Sequence, residues 1–207
     1  MAYQLEVVDL HSLPPAGTVL GERETAFYHT LKLPKRQTEW FGGRLALKRL
    51  LTKHRGCQLQ EIEILAPGGQ GKPVVTVGEN PINIPFSITH SQGFAVAAIA
   101  PNSKYVGIDL EKIEHRISAW KEDFFRPDEL TDDTDSFLTM LWTQKEALVK
   151  MLGTGLTVNS REVRIVDGVP QFSGRALEMY NSLGSPQITL ETKPLLKDFQ
   201  FSIALGK

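Results

Sequence analysis

The sequence predicts an α+β fold of two pseudo-symmetric α/β halves, each a mostly antiparallel sheet packed on one long helix. Three observations lead there. Two long segments carry apolar stripes at helical spacing, each bounded by helix start and stop residues. Short β-branched segments set off by Gly and Pro follow each of them. The helix and the strand behind it also recur at one spacing. Arg44-Leu45-Ala46-Leu47-Lys48-Arg49-Leu50-Leu51 lines up with Lys145-Glu146-Ala147-Leu148-Val149-Lys150-Met151-Leu152 at an offset of 101 residues (44 against 145). Glu61-Ile62-Glu63-Ile64 meets Glu162-Val163-Arg164-Ile165 at the same offset of 101 (61 against 162). Phe86-Ser87-Ile88 recurs as Phe201-Ser202-Ile203 at a longer offset.

The elements follow in order. Pro34 suits the first turn of a helix, and Trp40, Leu47, Leu50 and Leu51 mark its buried stripe. Phe94 to Ala100 is almost continuously apolar and reads as a buried strand. Pro101-Asn102-Ser103 is a turn, and Tyr105 to Glu111 leaves it as the next strand. That turn divides the chain into an N-terminal half, residues 1–101, and a C-terminal half, residues 102–207. The second long helix starts near Asp133-Thr134 and ends at Gly153. Ser173-Gly174 precedes a short helix ending near Gly184. A site between the halves would collect residues from both.

Composition excludes several classes. With 207 residues the chain is long enough for one compact body or two small subdomains. Net charge is -1, so no overall basic field argues for nucleic acid. The single cysteine, Cys57, has no internal disulfide partner. The N-terminus lacks a basic start and apolar run, and no stretch approaches the ~20 apolar residues of a membrane span. A cytoplasmic soluble protein is the expectation.

Four segments bear chemistry. Asp109 and Glu111 are i and i+2 on a strand, so they share one face, roughly 7 Å apart at the backbone. Two carboxylates so placed repel unless a cation sits between them, and oxygen-only donors suit Mg²⁺. Taken alone, they are equally a polar strand face. Glu146 and Lys150 add a third carboxylate and a lysine one helical turn later, which alone is also ordinary surface ion-pair geometry. Thr89-His90-Ser91 ends an apolar strand before Gly93; such groups can hold phosphate oxygens or simply form a hairpin turn. Lys35, Arg36, Arg44, Lys48 and the Gly71-Lys72-Pro73 turn are basic. Arg44 and Lys48 share a helix face that can grip a phosphate or be solvated.

Together, Trp40-x-x-Gly43-Arg44, Gly71-Lys72-Pro73, Thr89-His90-Ser91, Gly107-Ile108-Asp109-Leu110-Glu111 and Trp142-x-x-Lys145-Glu146-Ala147-x-x-Lys150 occur in the order of a known family pattern. The chain resembles the 4′-phosphopantetheinyl transferase superfamily, specifically its surfactin-synthetase-activating (Sfp) type. The resemblance covers Lys35 to about Gly155, and its last two motifs are the specific ones. Thr89 stands where Ser is common, Leu110 lies between the carboxylates and cannot ligate, and Gly21 to Leu33 is poorly matched, with Arg23 a guessed contact.

The resemblance implies transfer of the 4′-phosphopantetheine arm of coenzyme A onto a serine of an apo acyl or peptidyl carrier protein, releasing adenosine 3′,5′-bisphosphate. It implies Mg²⁺ on Asp109, Glu111 and Glu146, with Glu146 as base, Lys150 on the pyrophosphate, and Asp109 in the reacting centre. It implies cofactor contacts from Arg36, Arg44, Lys48, Lys72, Thr89, His90, Asp109, Lys145 and Lys150. The nucleotide end would belong to the N-terminal half; the metal site and catalytic helix would belong to the C-terminal half. A carrier is expected to dock on Ile113 to Leu130 through Arg116, Trp120, Lys121, Phe124, Phe125 and Arg126, unless those aromatics are core. A monomer is expected. A non-catalytic coenzyme A-binding protein and a metal-dependent coenzyme A pyrophosphate hydrolase are the alternatives.

Overall fold

The computed structural model describes residues 2–66 and 72–207, so Gly71 of the Gly-Lys-Pro turn lies outside the described residues. The protein is α+β and divides into two compact units, Met1–Pro101 and Asn102–Lys207.

In the first unit the elements are β1 (Gln4–Asp9), α1 (Glu22–Thr30), α2 (Pro34–Arg55), β2 (Ile62–Leu65), β3 (Val74–Val77), β4 (Asn80–Ile82), β5 (Phe86–Ser91) and β6 (Phe94–Ile99). Pro34 opens α2, where a missing N–H leaves nothing unpaired, and Gly56 ends it at a φ of 69°. β6 runs antiparallel between β1 and β5. Its residues Ala95 to Ile99 are all fully buried, which is why its sequence is apolar without alternation. β2, β3 and β4 form a smaller antiparallel sheet. The core joins Trp40, Leu45, Leu47 and Leu51 of α2 to Ile62, Ile64, Val75 and Ile99.

The second unit runs β7 (Tyr105–Lys112), α3 (Ser118–Phe124), α4 (Asp135–Leu152), β8 (Val163–Val166), β9 (Val169–Phe172), α5 (Gly174–Ser182), β10 (Ile188–Pro194) and β11 (Phe199–Gly206). β11 lies antiparallel between β7 and β10, and β8–β9 is a separate hairpin. Thr134 caps α4 by accepting the Phe137 N–H at 3.3 Å, and Gly153 ends it at a φ of 73°. Leu141, Leu148, Met151 and Leu152 of α4 meet Val163, Ile165 and Ala176 in this unit's core.

The two units repeat one plan. Strand order β1-β6-β5 corresponds to β7-β11-β10, each sheet carrying one long helix. β2 and β8 keep the offset of 101 (62 against 163). The helices do not. Their C-capping glycines, Gly56 and Gly153, stand 97 residues apart, four fewer than the sequence alignment gives. That is about one helical turn, and an amphipathic helix slid by a turn presents nearly the same stripe. Lys145 therefore corresponds to Lys48, not to Arg44. The Phe-Ser-Ile recurrence is also not symmetry, because β5 is an edge strand matching β10 whereas Phe201–Ile203 lie on the central β11. Within residues 21–33, Glu22–Thr30 form α1, a short polar helix without a clear apolar stripe. Its Arg23 pairs with Glu63 and donates to Thr76 Oγ1 at 3.1 Å, so the structure gives it a protein partner rather than an evident ligand role. Among the described residues no helix is long and apolar enough to cross a membrane.

One close approach sets the position of α4. A Cβ on Gly107 of β7 would lie 2.0 Å from the Ala147 carbonyl oxygen and 2.3 Å from the Met151 nitrogen. Both are backbone atoms of α4 and cannot swing aside. Gly107→Ala should therefore force the helix off the sheet and lower stability by at least ~2 kcal/mol. Urea unfolding tests this, and an unchanged midpoint would contradict it.

Candidate functional site

β7 and α4 carry the second unit's chemistry-bearing side chains. Asp109 follows Gly107 by two residues and faces the same side, so the helix that Gly107 admits passes over Asp109 as well. Lys150 Nζ donates to Asp109 Oδ1 at 2.7 Å. Asp109 is 4% exposed, whereas the Lys150 side chain keeps 30% of its surface open. Glu146 lies one turn before Lys150 on α4. Burial pushes its carboxyl above the ordinary value, Asp109 and Glu111 push it further, and Lys150 pulls it back. The three carboxylates thus feel one another. Glu111 also lies 4.0 Å from Arg116, whose second partner is Glu114 at 3.2 Å.

All three donors are oxygens with mutually repelling charge, which is the chemistry that accommodates a hard divalent cation. Among the described residues no group of three or more His, Cys, Asp or Glu side chains stands ready to hold a metal ion. The cation facing Asp109 in this structure is the Lys150 ammonium.

The first unit brings a different set together. Arg44 stacks its guanidinium over the Trp40 ring at 4.1 Å. Its Nε is buried without a hydrogen-bond partner among the described residues. Burial lowers its pKa to about 10, Glu24 opposes that, and the nearby charge of Arg36 adds to it. A partly buried arginine repelled by a second arginine suits an anion. Thr89 is 4% exposed on β5; His90 beside it has Nδ1 3.7 Å from Glu39. Lys72 and Arg36 are exposed.

Two of the predicted contacts are structural instead. Lys48 is fully buried, 2.5 Å from Glu24 Oε2 and donating to the Val19 carbonyl at 2.7 Å. Lys145 is fully buried, donating to Glu129 at 2.8 Å and to the carbonyls of Phe124 at 3.0 Å and Ser160 at 3.2 Å. Both ammonium groups are enclosed by protein acceptors, with no surface open to a ligand. The sequence reading missed both carboxylate partners. Glu24 accepts the N–H groups of Gly21 and Ile64; Glu129 accepts those of Arg126 and Ile165. Each is an acid three residues into a short helical turn, the only local signal available, and its lysine lies at no fixed spacing.

The segment expected to dock a carrier is largely a cover. Phe125 is 1% exposed, and Trp120 and Phe124 pack edge-on against Trp142 at 5.5 and 5.0 Å. Lys121 pairs with Asp133, and Arg126 Nε donates to the Arg161 carbonyl at 3.0 Å.

Residues 105–203, β7 through most of β11, match the family model of the 4′-phosphopantetheinyl transferase superfamily. Over that stretch, just under half of its length, the chain is similar to that superfamily. It is 30% identical over 125 residues to the 4′-phosphopantetheinyl transferase psf-1 of Bacillus pumilus, covering 56% of this chain and 50% of that protein. It is 36% identical over 92 residues to the 4′-phosphopantetheinyl transferase of Bacillus subtilis, covering 40% of each. It is 35% identical over 72 residues to the holo-[acyl-carrier-protein] synthase of Shouchella clausii, covering 32% of this chain and 61% of that one. The matched stretch thus spans 40% to 61% of these relatives' lengths.

Two measurements follow from these environments. Lys145→Met strands a buried Glu129 carboxylate and should cost about 3–5 kcal/mol in urea unfolding. Adding Glu129→Gln removes the stranded charge while keeping an acceptor for the two N–H groups, and should recover most of the loss; a double variant no more stable than the single would contradict the pairing. Glu146 has a folded pKa raised above the ordinary 4.5. Between those two values the folded state holds more protons than the unfolded one, so the associated stability is present below pH 4.5 and lost as pH rises through the folded value. Melting temperatures in EDTA should decline less over that range in Glu146→Gln than in the wild type, because the burial of Glu24 contributes equally to both. Parallel profiles would count against it.

Proposed function

We propose that this protein transfers the 4′-phosphopantetheine arm of coenzyme A to a serine of an apo acyl or peptidyl carrier protein. The observation that carries the reading is the convergence of Asp109, Glu111, Glu146 and Lys150 across β7 and α4. It lies within the stretch that matches the superfamily. The names of the relatives support it: two are phosphopantetheinyl transferases and one is a holo-[acyl-carrier-protein] synthase.

In this reading Asp109, Glu111 and Glu146 would hold Mg²⁺, whose donor chemistry they fit. Bound there, the ion supplies charge neutralisation for the pyrophosphate of coenzyme A. The chain's own residues do the rest. Glu146 takes the proton of the carrier serine hydroxyl, directly or through a water. A carboxyl made more basic by burial and like charge is a better acceptor than a free glutamate. The serine oxygen forms a bond to the phosphorus that bears the pantetheine arm. The bond from that phosphorus to the bridging oxygen breaks, and adenosine 3′,5′-bisphosphate leaves. Lys150, with 30% of its side chain open, steadies the pyrophosphate and protonates the leaving phosphate. Asp109 holds that ammonium in line. In the first unit, Arg44 with Arg36 is the proposed anion-binding pair, with Thr89, His90 and Lys72 as further contacts.

Intact mass spectrometry of apo carriers incubated with the protein, coenzyme A and Mg²⁺ tests this. Each accepting carrier should gain one phosphopantetheine arm. EDTA should prevent the gain, and Asp109→Asn should slow it by roughly 100-fold or more, as for loss of a charge-stabilising group. Wild-type transfer by Asp109→Asn would refute the assignment. Coenzyme A cleaved without a carrier would indicate the hydrolase, and coenzyme A bound without transfer would indicate a non-catalytic binder.

A further inference from the structure

We infer that Thr143 is a positioning residue for Glu146 and Lys150, acting through a buried hydroxyl pair with Ser202; the inference rests on the proposed transferase reading of this site. Thr143 and Ser202 are both fully buried. Thr143 Oγ1 lies 2.8 Å from Ser202 Oγ and donates to the Met140 carbonyl at 2.9 Å. Ser202 Oγ is also 2.8 Å from Thr192 Oγ1, which accepts from Gln144 Nε2 at 3.0 Å.

Each hydroxyl has one proton, and that fixes the direction of the chain. Thr143 gives its proton to the Met140 carbonyl, so it must accept from Ser202. Ser202 has then used its proton and must accept from Thr192. Thr192 in turn accepts from the Gln144 amide, so every hydroxyl donates once and accepts once. The chain leaves α4 at Gln144, passes through β10 and β11, and returns to α4 at Thr143. Hydrogen bonds aligned in one sense strengthen one another.

Its place matters more than its energy. Ser202 is the β11 residue directly opposite Asp109 in the ladder. Thr143 is one turn before Glu146 and two before Lys150, on the same side of α4. The Gly107 contact at Ala147 limits how close α4 comes to the sheet. It does not stop the helix from turning about its axis or sliding along it. The Lys145–Glu129 pair resists such a shift elsewhere on the helix, and a directional bond at Thr143 resists it on the side that carries Glu146 and Lys150. Displacements of about 1 Å in such a site can cost 100-fold in rate. Replacing hydrogen-bonded polar groups by apolar ones of the same shape can be nearly neutral for stability, so stability alone does not call for hydroxyls here.

The test compares Thr143→Val, which keeps the shape and loses the hydroxyl, with Thr143→Ser, which keeps the hydroxyl. Ser202→Ala breaks the pair from the other side and serves if Thr143→Val does not fold. Mn²⁺ is the probe, titrated by the paramagnetic resonance of the free ion, alongside single-turnover transfer and the melting temperature. Thr143→Val and Ser202→Ala should lose roughly tenfold or more in Mn²⁺ affinity and in rate, as when the groups that orient metal ligands are removed. Each leaves one hydroxyl short of a partner, so melting should fall by a few degrees while the protein stays folded at the assay temperature, and Thr143→Ser should stay within about threefold of the wild type in affinity and rate. Thr143→Val matching the wild type in both, or Thr143→Ser falling as far as Thr143→Val, would overturn the role. A wild type that neither binds Mn²⁺ nor transfers the arm would instead overturn the proposed function, and this role with it.

Discussion

A charge enclosed by protein must be paired and hydrogen-bonded on every side, and each unit of this chain is built around one such pair. In the first, the ammonium of Lys48 meets Glu24; in the second, that of Lys145 meets Glu129. Neither lysine has any exposed surface. Burial pulls both lysines down and Glu24 up, so each pair depends on the geometry that holds it together. That geometry ties three parts of a unit together: the long helix that carries the lysine, the turn that carries the acid, and the strand whose N–H the acid accepts, at Ile64 or Ile165. Such a pair adds little net stability compared with well-packed apolar groups, but breaking it strands a charge. It therefore acts as a register pin. A helix shifted by one turn would leave both charges unmatched.

In the second unit this pin lies one residue from the proposed base. Lys145 points into the protein while Glu146, its neighbour, turns toward Asp109 and Glu111. Consecutive helical residues diverge by about 100°, so one anchors the helix and the next serves the site. The Gly107 approach supplies the second constraint, since it brings β7 close enough for Lys150 to reach Asp109 at 2.7 Å. The carboxylates of the site are held against their mutual repulsion by contacts made elsewhere on α4. That arrangement leaves negative charge in want of a cation and a carboxyl more basic than usual, as proton abstraction from a hydroxyl requires.

Much of this was legible in the sequence, for identifiable reasons. α2 and α4 announce themselves through Pro34, Thr134 and Gly153, whose backbone roles are local. β6 is apolar without a break because Ala95 to Ile99 are all fully buried. Asp109, Glu111, Glu146 and Lys150 could be placed on shared faces because strand and helix periods are fixed. What was not legible depends on contacts between distant segments. Nothing near Lys48 or Lys145 distinguishes a buried lysine from a phosphate ligand, because the deciding partners lie 24 and 16 residues away (24 against 48, 129 against 145). The alignment of the two helices slipped by a turn for the same reason. The stripe repeats every turn, and the capping glycines and the buried pair are what fix which turn is equivalent.

A second ion pair beside each buried one shows which features the repeated plan fixes and which it leaves open. Arg23, next to Glu24, pairs with Glu63, next to Ile64. Asp128, next to Glu129, pairs with Arg164, next to Ile165. The positions correspond and the signs are reversed. These pairs are partly in water, with Arg23 60% and Asp128 52% exposed, where only complementarity counts and the energy is small. In the buried pairs the signs agree. There the carboxylate accepts two backbone N–H groups and the ammonium donates to backbone carbonyls, so exchanging the residues would set donors against donors and acceptors against acceptors. Solvent tolerates an exchange of charge at the surface, whereas the fixed polarity of the backbone forbids it a few ångströms further in.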